Sequence, residues 1–157
     1  QLLADTAVFR HKAQAYHWSV RGVLFGQFHG QFGEIYDDML LEDYDKTAEQ
    51  IRVLGSVPLV GLSNYADESS LEPPNDEFLN ETLDENKSAI LMAQELYKDN
   101  ERLIQTIEMA EDAAEEAEAS GVLGFLNGRH DTHNEIRYKL GSYLGGPTSP
   151  ISGGNDE

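Results

Sequence analysis

Apolar residues recur along this chain three or four positions apart, which is the spacing of an amphipathic helix. Segments with this pattern span residues 2–19, 25–54, 76–119 and 122–144, whereas strand-like alternation is nearly absent. Residues 55–75 lack the pattern, apart from one short stretch around 63–70. The sequence therefore predicts an all-α fold of four long helices, with a middle connection that carries a short helix.

The lengths of the links predict how these helices are arranged. The first and last links are tight, so the helices that they join should be antiparallel neighbours. The middle link of about 20 residues can reach well over the ~40 Å length of a helix of about 28 residues. It can therefore cross the whole bundle, which predicts a four-helix bundle in residues 1–146 with one long crossover. Residues 147–157, beyond Gly145-Gly146, are expected to form a flexible acidic tail.

Composition and charge narrow the class of protein. The 157 residues suffice for one domain, and the absence of cysteine excludes disulfides, thiolate metal sites and cysteine catalysis. No signal peptide or bilayer-spanning apolar run is visible, so a cytoplasmic protein without a membrane segment is expected. The net charge of −18 opposes binding to nucleic acid and attracts cations, although solubility or a salty habitat would explain the charge alone more simply.

Candidate chemistry is concentrated between residues 17 and 49. His17 and Trp18 precede a short turn, His29 follows it, and Asp45 and Glu49 stand one helical turn apart further on. Imidazole nitrogens with carboxylate oxygens suit a divalent first-row metal such as iron, zinc or manganese. Each residue also has a structural alternative: interface histidines, a solvated acidic edge and a packing tryptophan.

The same residues carry a resemblance to a known family that covers nearly the whole chain. The spacing of His17, Trp18, Gly22, Phe25 and His29 resembles the H-W-x-x-x-G-x-x-F-x-x-x-H pattern of the Dps family of mini-ferritins, DNA-binding proteins from starved cells. Asp45, Ala48 and Glu49 resemble its D-x-x-A-E pattern. The strings SVPLVGLSNYADESSLEP and HNEIRYKLGSYLG are similar to its middle connection and to the end of its last helix. The fold that this implies is a ferritin-like four-helix bundle.

The resemblance implies a hollow homo-dodecamer that oxidises Fe(II), with hydrogen peroxide as preferred oxidant, and stores ferric mineral inside. His17 and His29 of one chain would bind iron, in a di-iron or mono-iron site, together with Asp45 and Glu49 of the two-fold-related chain. Trp18, with Tyr44 or Tyr138, would supply an electron when one iron is missing. His11, His130 and His133 are expected to be structural or surface residues.

The chain departs from the family pattern by one residue. The Asp and Glu follow the second histidine by sixteen and twenty positions instead of fifteen and nineteen, so ungapped ligand positions would be Tyr44 and Ala48. The apolar stripe also slips by one residue near Met39-Leu40-Leu41. A π-turn within residues 37–44 would absorb the extra residue and restore Asp45 and Glu49 to the site. Without it, the chain would form a shell with an impaired site, acting as a structural or metal-sequestering protein.

Two further departures affect the expected ligands and partners. Gly33 stands where many relatives have an acidic residue, so the second iron would be held weakly or would recruit Glu34, Asp37 or Asp38. The lysine-rich tail that binds DNA in the family is also missing, so DNA binding is not expected unless a preceding N-terminal segment supplies it.

Overall fold

The computed structural model describes residues 1–79 and 83–146, and the described residues are helical without strands. The elements are α1 (Leu2–Ser19), α2 (Phe25–Gly33), a π-helix (Glu34–Met39), α3 (Leu41–Val53), α4 (Leu62–Glu68), α5 (Asp76–Leu79), α6 (Glu85–Glu116) and α7 (Ser120–Leu144). The predicted all-α fold, with a middle connection that carries a short helix, is confirmed in these residues. The predicted tail, residues 147–157, lies outside the described residues. No helix in the described ranges is long and apolar enough to cross a membrane.

The long helices pack around one apolar core. Helix α6 packs along α7, and α1 contacts α2, α3, the π-helix and α6. The largest fully buried apolar side chains come from α1, α2, the π-helix and the residue after it, α6 and α7: Phe9, Tyr16, Phe32, Ile35, Leu40, Met92, Leu96, Leu103, Ile107 and Ile136. Burial of such side chains is the main force that holds the bundle together.

The predicted second helix contains the π-helix that the extra residue requires. The buried face runs through Phe28, Phe32 and Ile35, then steps five residues to Leu40. Such a step matches the i→i+5 bonding of a π-helix and shifts the inward face by one position. The π-turn is therefore present, although it begins at Glu34, three residues before the predicted range.

The predicted third helix is wrong in its first part. The segment 76–119 is not one helix: α5 ends at Leu79, and α6 begins after Asp84, whose side chain accepts a hydrogen bond of 2.9 Å from the Lys87 backbone nitrogen. This N-cap satisfies one of the free amides at the start of α6.

Buried charges connect the helices to one another and to the crossover. Lys12 of α1 is fully buried and its Nζ lies 2.5 Å from an oxygen of Asp99 and 3.1 Å from one of Glu95. Tyr16 donates a hydrogen bond to Glu95. Burial raises the pKa of Asp99, which the ammonium of Lys12 opposes. These contacts fix α1 against α6.

A second buried carboxylate holds the crossover. Asp5 of α1 accepts hydrogen bonds from the Ser69 hydroxyl, from the backbone and hydroxyl of Ser70, and from the Thr106 hydroxyl, at 2.6–3.1 Å. The end of the middle connection is thereby attached to both α1 and α6.

Candidate metal centre

Two imidazoles meet where α1 ends and α2 begins. His17 and His29 stack with ring centroids 3.7 Å apart and an angle of 23° between the ring planes. The turn that brings them together needs glycine: Gly22 has a φ of 83°, and a Cβ there would lie 2.8 Å from the Asn86 side-chain oxygen. The Val23 backbone nitrogen donates to that same oxygen at 3.2 Å, which ties the turn to α6.

Each imidazole is held by the backbone of the other. The His17 Nδ1 lies 2.7 Å from the His29 carbonyl oxygen, and the His29 Nδ1 lies 2.9 Å from the His17 carbonyl oxygen. A carbonyl oxygen can only accept, so Nδ1–H is the donor in both rings, and the neutral form of each ring carries its lone pair on Nε2. Metal-binding histidines commonly have this arrangement, in which a carbonyl fixes the tautomer and the ring orientation.

Close packing fixes where these rings lie. Phe25 stacks on His29 at 4.6 Å, and Tyr36 presents its edge to His17 at 5.2 Å. Gly33 closes the other side, because a Cβ at that position would lie 3.1 Å from both Cε1 and Nδ1 of His17. Both histidines remain partly exposed, so the pair is not sealed inside the core.

Asp45 and Glu49 lie on the exposed side of α3. The opposite side of this helix is attached to α7 by the fully buried Arg129, whose Nη1 donates to the Thr47 hydroxyl at 2.6 Å. Its Nε lies 3.3 Å from an oxygen of Asp43, an ion pair without hydrogen-bond geometry. Asp43 and Thr47 each precede a predicted ligand by two residues, or about 200° around the helix. Holding them inward therefore turns Asp45 and Glu49 outward.

Burial and charge act in opposite directions on this anchor. Burial raises the pKa of Asp43, and the charge of Arg129 opposes that rise. Burial also lowers the pKa of Arg129 to about 10, which Asp43 opposes. Arg129 therefore stays charged at neutral pH and continues to hold α3.

A single chain brings together two of the four predicted ligands. Among the described residues no three histidine, aspartate or glutamate side chains are close enough to hold a metal ion. Asp45 instead lines an open cleft of about 550 Å³ with three other acids, Asp37, Asp38 and Glu42. Glu34, a predicted substitute ligand, is already paired with Lys139 at 2.5 Å.

The tryptophan and the remaining histidines fall in three different environments. The Trp18 side chain is 66% exposed, so in a single chain it is not a core residue. His133 is fully buried, where its Nδ1 donates to the Asn100 side-chain oxygen at 2.7 Å and its Nε2 accepts from Arg129 at 3.1 Å. His11 is exposed, and His130 pairs with Glu111 at 3.3 Å.

Sequence reasoning missed two residues beside the histidines. Tyr36 was not among the candidates, although it contacts His17. Tyr36 follows Gly33 by three residues, and this spacing would have indicated a contact with His17 only once the π-helix was located. Arg129 was also missed, since an arginine in a last helix carries no sign of burial in the sequence.

Comparison with known proteins identifies the family. A family model described as a ferritin-like domain matches residues 1–147. The chain is 30% identical over 128 residues to a DNA protection during starvation protein of Porphyromonas gingivalis, and the match covers 82% of this chain and 77% of that protein. The chain belongs to the Dps family of ferritin-like proteins.

Solved Dps structures have the same fold, and a further relative is similar over nearly the whole chain. The Dps structure from Staphylococcus aureus has a TM-score of 0.80 at 24% identity, covering 92% of this chain and 90% of that one. The Vibrio cholerae Dps, described as a member of a broad superfamily of ferritin-like diiron-carboxylate proteins, has a TM-score of 0.77 at 25% identity, covering 91% and 84%. An uncharacterised low temperature-induced protein of Nostoc sp. is 30% identical over 152 residues, 96% of this chain and 80% of that protein. Dps membership supports iron storage and ferroxidation at the level of the family.

Proposed function

We propose that this protein is a ferroxidase that oxidises Fe(II), with hydrogen peroxide as preferred oxidant, and stores the ferric product inside a homo-dodecameric shell. His17 and His29 of one chain bind the ferrous ion together with Asp45 and Glu49 of the two-fold-related chain. Two ferrous ions supply the two electrons that reduce one peroxide to water, so little hydroxyl radical is released. The shell thereby protects the cell from oxidative damage.

The observation that carries this proposal is the reciprocal bonding of the two imidazoles. Both Nδ1 atoms are used by backbone carbonyls, so both Nε2 lone pairs remain for a metal. Neutral imidazole and carboxylate ligands bind Fe(II), and the carboxylate charge favours the ferric product. The acidic cleft beside Asp45 and the net charge of −18 favour the approach of cations.

Sharing of the site between chains is supported by the apolar surface around it. Large apolar side chains are exposed on α2, α3, α4 and the connection: Phe25, Leu41, Val53, Leu54, Val57, Val60 and Leu62. Exposed large apolar side chains in this number are typical of a protein–protein interface. In the proposed assembly a two-fold axis passes through this surface, with the histidines of one chain facing the carboxylates of the other.

Ferroxidation is tested by adding Fe(II) and then peroxide under anaerobic conditions and following ferric absorbance. Wild type should oxidise iron at a fixed ratio to peroxide, whereas His17→Ala and Asp45→Ala should each lose most of the rate. His11→Ala is the matched control, because His11 is an exposed histidine on the same helix. Equal rates in all four proteins would refute the proposed site.

Sharing is tested by co-expressing His17→Ala with Asp45→Ala chains. If the site lies between chains, a mixed pair has one intact site, and random pairing restores about a quarter of the wild-type sites. If the four ligands came from one chain, the mixture would stay as inactive as either variant.

The second candidate function is a shell that sequesters metal without oxidising it. Gly33 favours it, because no side chain is present at the position where many relatives have an acid. Tight zinc and iron binding with no peroxide-driven oxidation would select this function. Direct DNA binding is not part of either proposal, and a gel shift at low and moderate salt tests it.

A further inference from the structure

The π-helix adds one residue between the two halves of the proposed site. Each residue of an α-helix turns the chain by about 100°, so an extra residue rotates everything that follows it by that amount. A π-turn absorbs the extra residue locally, and its position decides which residues of α3 face the histidines. If the π-turn moved past Asp45, that side chain would point about 100° away from its present direction. The site therefore depends on where the π-turn is held.

One arginine outside the π-helix contacts the π-helix directly. Arg10 of α1 donates from Nε to the Tyr36 carbonyl oxygen at 2.9 Å. Tyr36 lies inside the π-helix, where altered backbone bonding leaves carbonyl groups in need of other donors. The Arg10 guanidinium also lies 5.9 Å from the centre of the Tyr36 ring, within the range of a cation–π contact.

The contact connects Arg10 to both sides of the extra residue. On one side, the π-helix that Arg10 contacts packs against α3, and so does α1 itself. On the other side, the Tyr36 ring that Arg10 holds presents its edge to His17. Arg10 is thus connected to the histidine half through Tyr36 and to the carboxylate half through the π-helix and α3.

We propose that Arg10 is a positioning residue of this site: by binding the Tyr36 carbonyl it holds the π-helix at Glu34–Met39, and together with the Arg129 anchor of α3 it sets the direction in which Asp45 and Glu49 face. This inference rests on the proposed function for its consequence, but the contact itself is independent of iron. Arg10 acts on the site through Tyr36 and is not itself a metal ligand.

The test compares arginine variants with and without the extra residue. Arg10→Ala removes the contact, and Arg10→Lys keeps the charge but lacks the Nε donor. Arg102→Ala is the matched control, because Arg102 also donates to a backbone carbonyl, that of Ser70, which lies outside the π-helix. Deleting the exposed Asp38 removes the extra residue between His29 and Asp45 and so restores the spacing of the family. The segment should then form a plain α-helix, whose register needs no arginine to hold it.

Two measurements on the assembled protein read out the result. Amide hydrogen exchange of the metal-free protein in residues 36–44 should rise at least about tenfold in Arg10→Ala and stay unchanged in Arg102→Ala. Zinc is a redox-inert probe of the site, and binding that remains in His17→Ala is subtracted as background. The remaining, site-specific zinc affinity should fall about tenfold or more in Arg10→Ala. Both effects should disappear when Asp38 is deleted, because the arginine then has no π-turn to hold.

Other outcomes separate the two proposals. Unchanged exchange in both Arg10 variants, or an equal loss of zinc affinity with and without Asp38, would overturn the role of Arg10 and leave the proposed function standing. If wild type and His17→Ala bind zinc alike, the proposed function fails instead. The exchange of residues 36–44 then decides alone whether Arg10 holds the π-helix.

Discussion

Substituting Gly33 by alanine should damage the metal centre while improving the helix that carries it. In α2 an alanine is favoured over glycine by about 0.5–1 kcal/mol. A Cβ at Gly33, however, would lie 3.1 Å from the Cε1 and Nδ1 atoms of His17, so the imidazole must move by a few tenths of an ångström. That ring is held by a bond of 2.7 Å to the His29 carbonyl. Loss of such an outer contact typically lowers metal affinity by about 10–100-fold, or roughly 1.4–2.7 kcal/mol.

Gly30→Ala is the matched control for this prediction, because it gains the same helix propensity on the same helix and its Cβ would meet nothing within 4 Å. Zinc affinity by titration calorimetry should fall only in Gly33→Ala. Thermal unfolding in the presence of chelator and the assembly state by size-exclusion chromatography should be similar for both variants. Equal zinc affinities for the two alanine variants would refute the reasoning, since they would mean that His17 can move without cost.

Three further predictions concern buried ionisable side chains. Burial lowers the pKa of His133 well below 6.5, so only the unfolded chain gains a proton there as the pH falls through about 6.5. The free energy of unfolding, measured in urea, should therefore decline below that pH by up to about 1.4 kcal/mol per pH unit. The His133→Gln variant should lack this slope. Lys12→Met should lower the free energy of unfolding by about 3–5 kcal/mol in the same assay, because it leaves the carboxylates of Glu95 and Asp99 without their cation. Lys46→Met, at a surface ion pair, should change it little, and similar losses in both variants would contradict the role of burial. Asp5→Ala should cost roughly 1.5–3 kcal/mol and speed protease cleavage of the crossover, an effect that the exposed Asp67→Ala should lack.

The hydrophobic pattern was sufficient to predict most of the bundle, because burial of one helix face repeats every three or four residues. The first predicted helix has the bounds that the structure gives, Leu2–Ser19. The slip of the apolar stripe also predicted the π-turn. Its start at Glu34 was missed because each i→i+5 bond spans five residues, so bonding changes upstream of the point where the stripe visibly shifts.

Local capping was harder to read than periodicity. Apolar residues at Leu83 and Ile90 continue the helical pattern across the start of α6, and they hid the break before Glu85. Asp84, an N-cap residue followed by an acid, was the available signal. Ile90 itself is 40% exposed, and the core face runs through Ala89, Ala93 and Leu96, of which two are small.

The residue types of the proposed site could be named from the sequence, but its geometry could not. Nothing in a one-dimensional spacing shows that His17 and His29 exchange hydrogen bonds through their backbones, because this depends on the angle at which α1 and α2 meet. The orientation of Asp45 depends on a buried arginine in α7, about 80 residues further along the chain.

The main-chain origin of the two imidazole contacts has a consequence for how this protein can evolve. Outer contacts to metal-binding histidines are often made by side chains, which a single codon change can remove. Here the acceptors are the carbonyl groups of residues 17 and 29 themselves, which every amino acid possesses. Neighbouring positions other than Gly22 and Gly33 can therefore drift in sequence without changing the tautomer of either ring, provided that the angle between the two helices is kept.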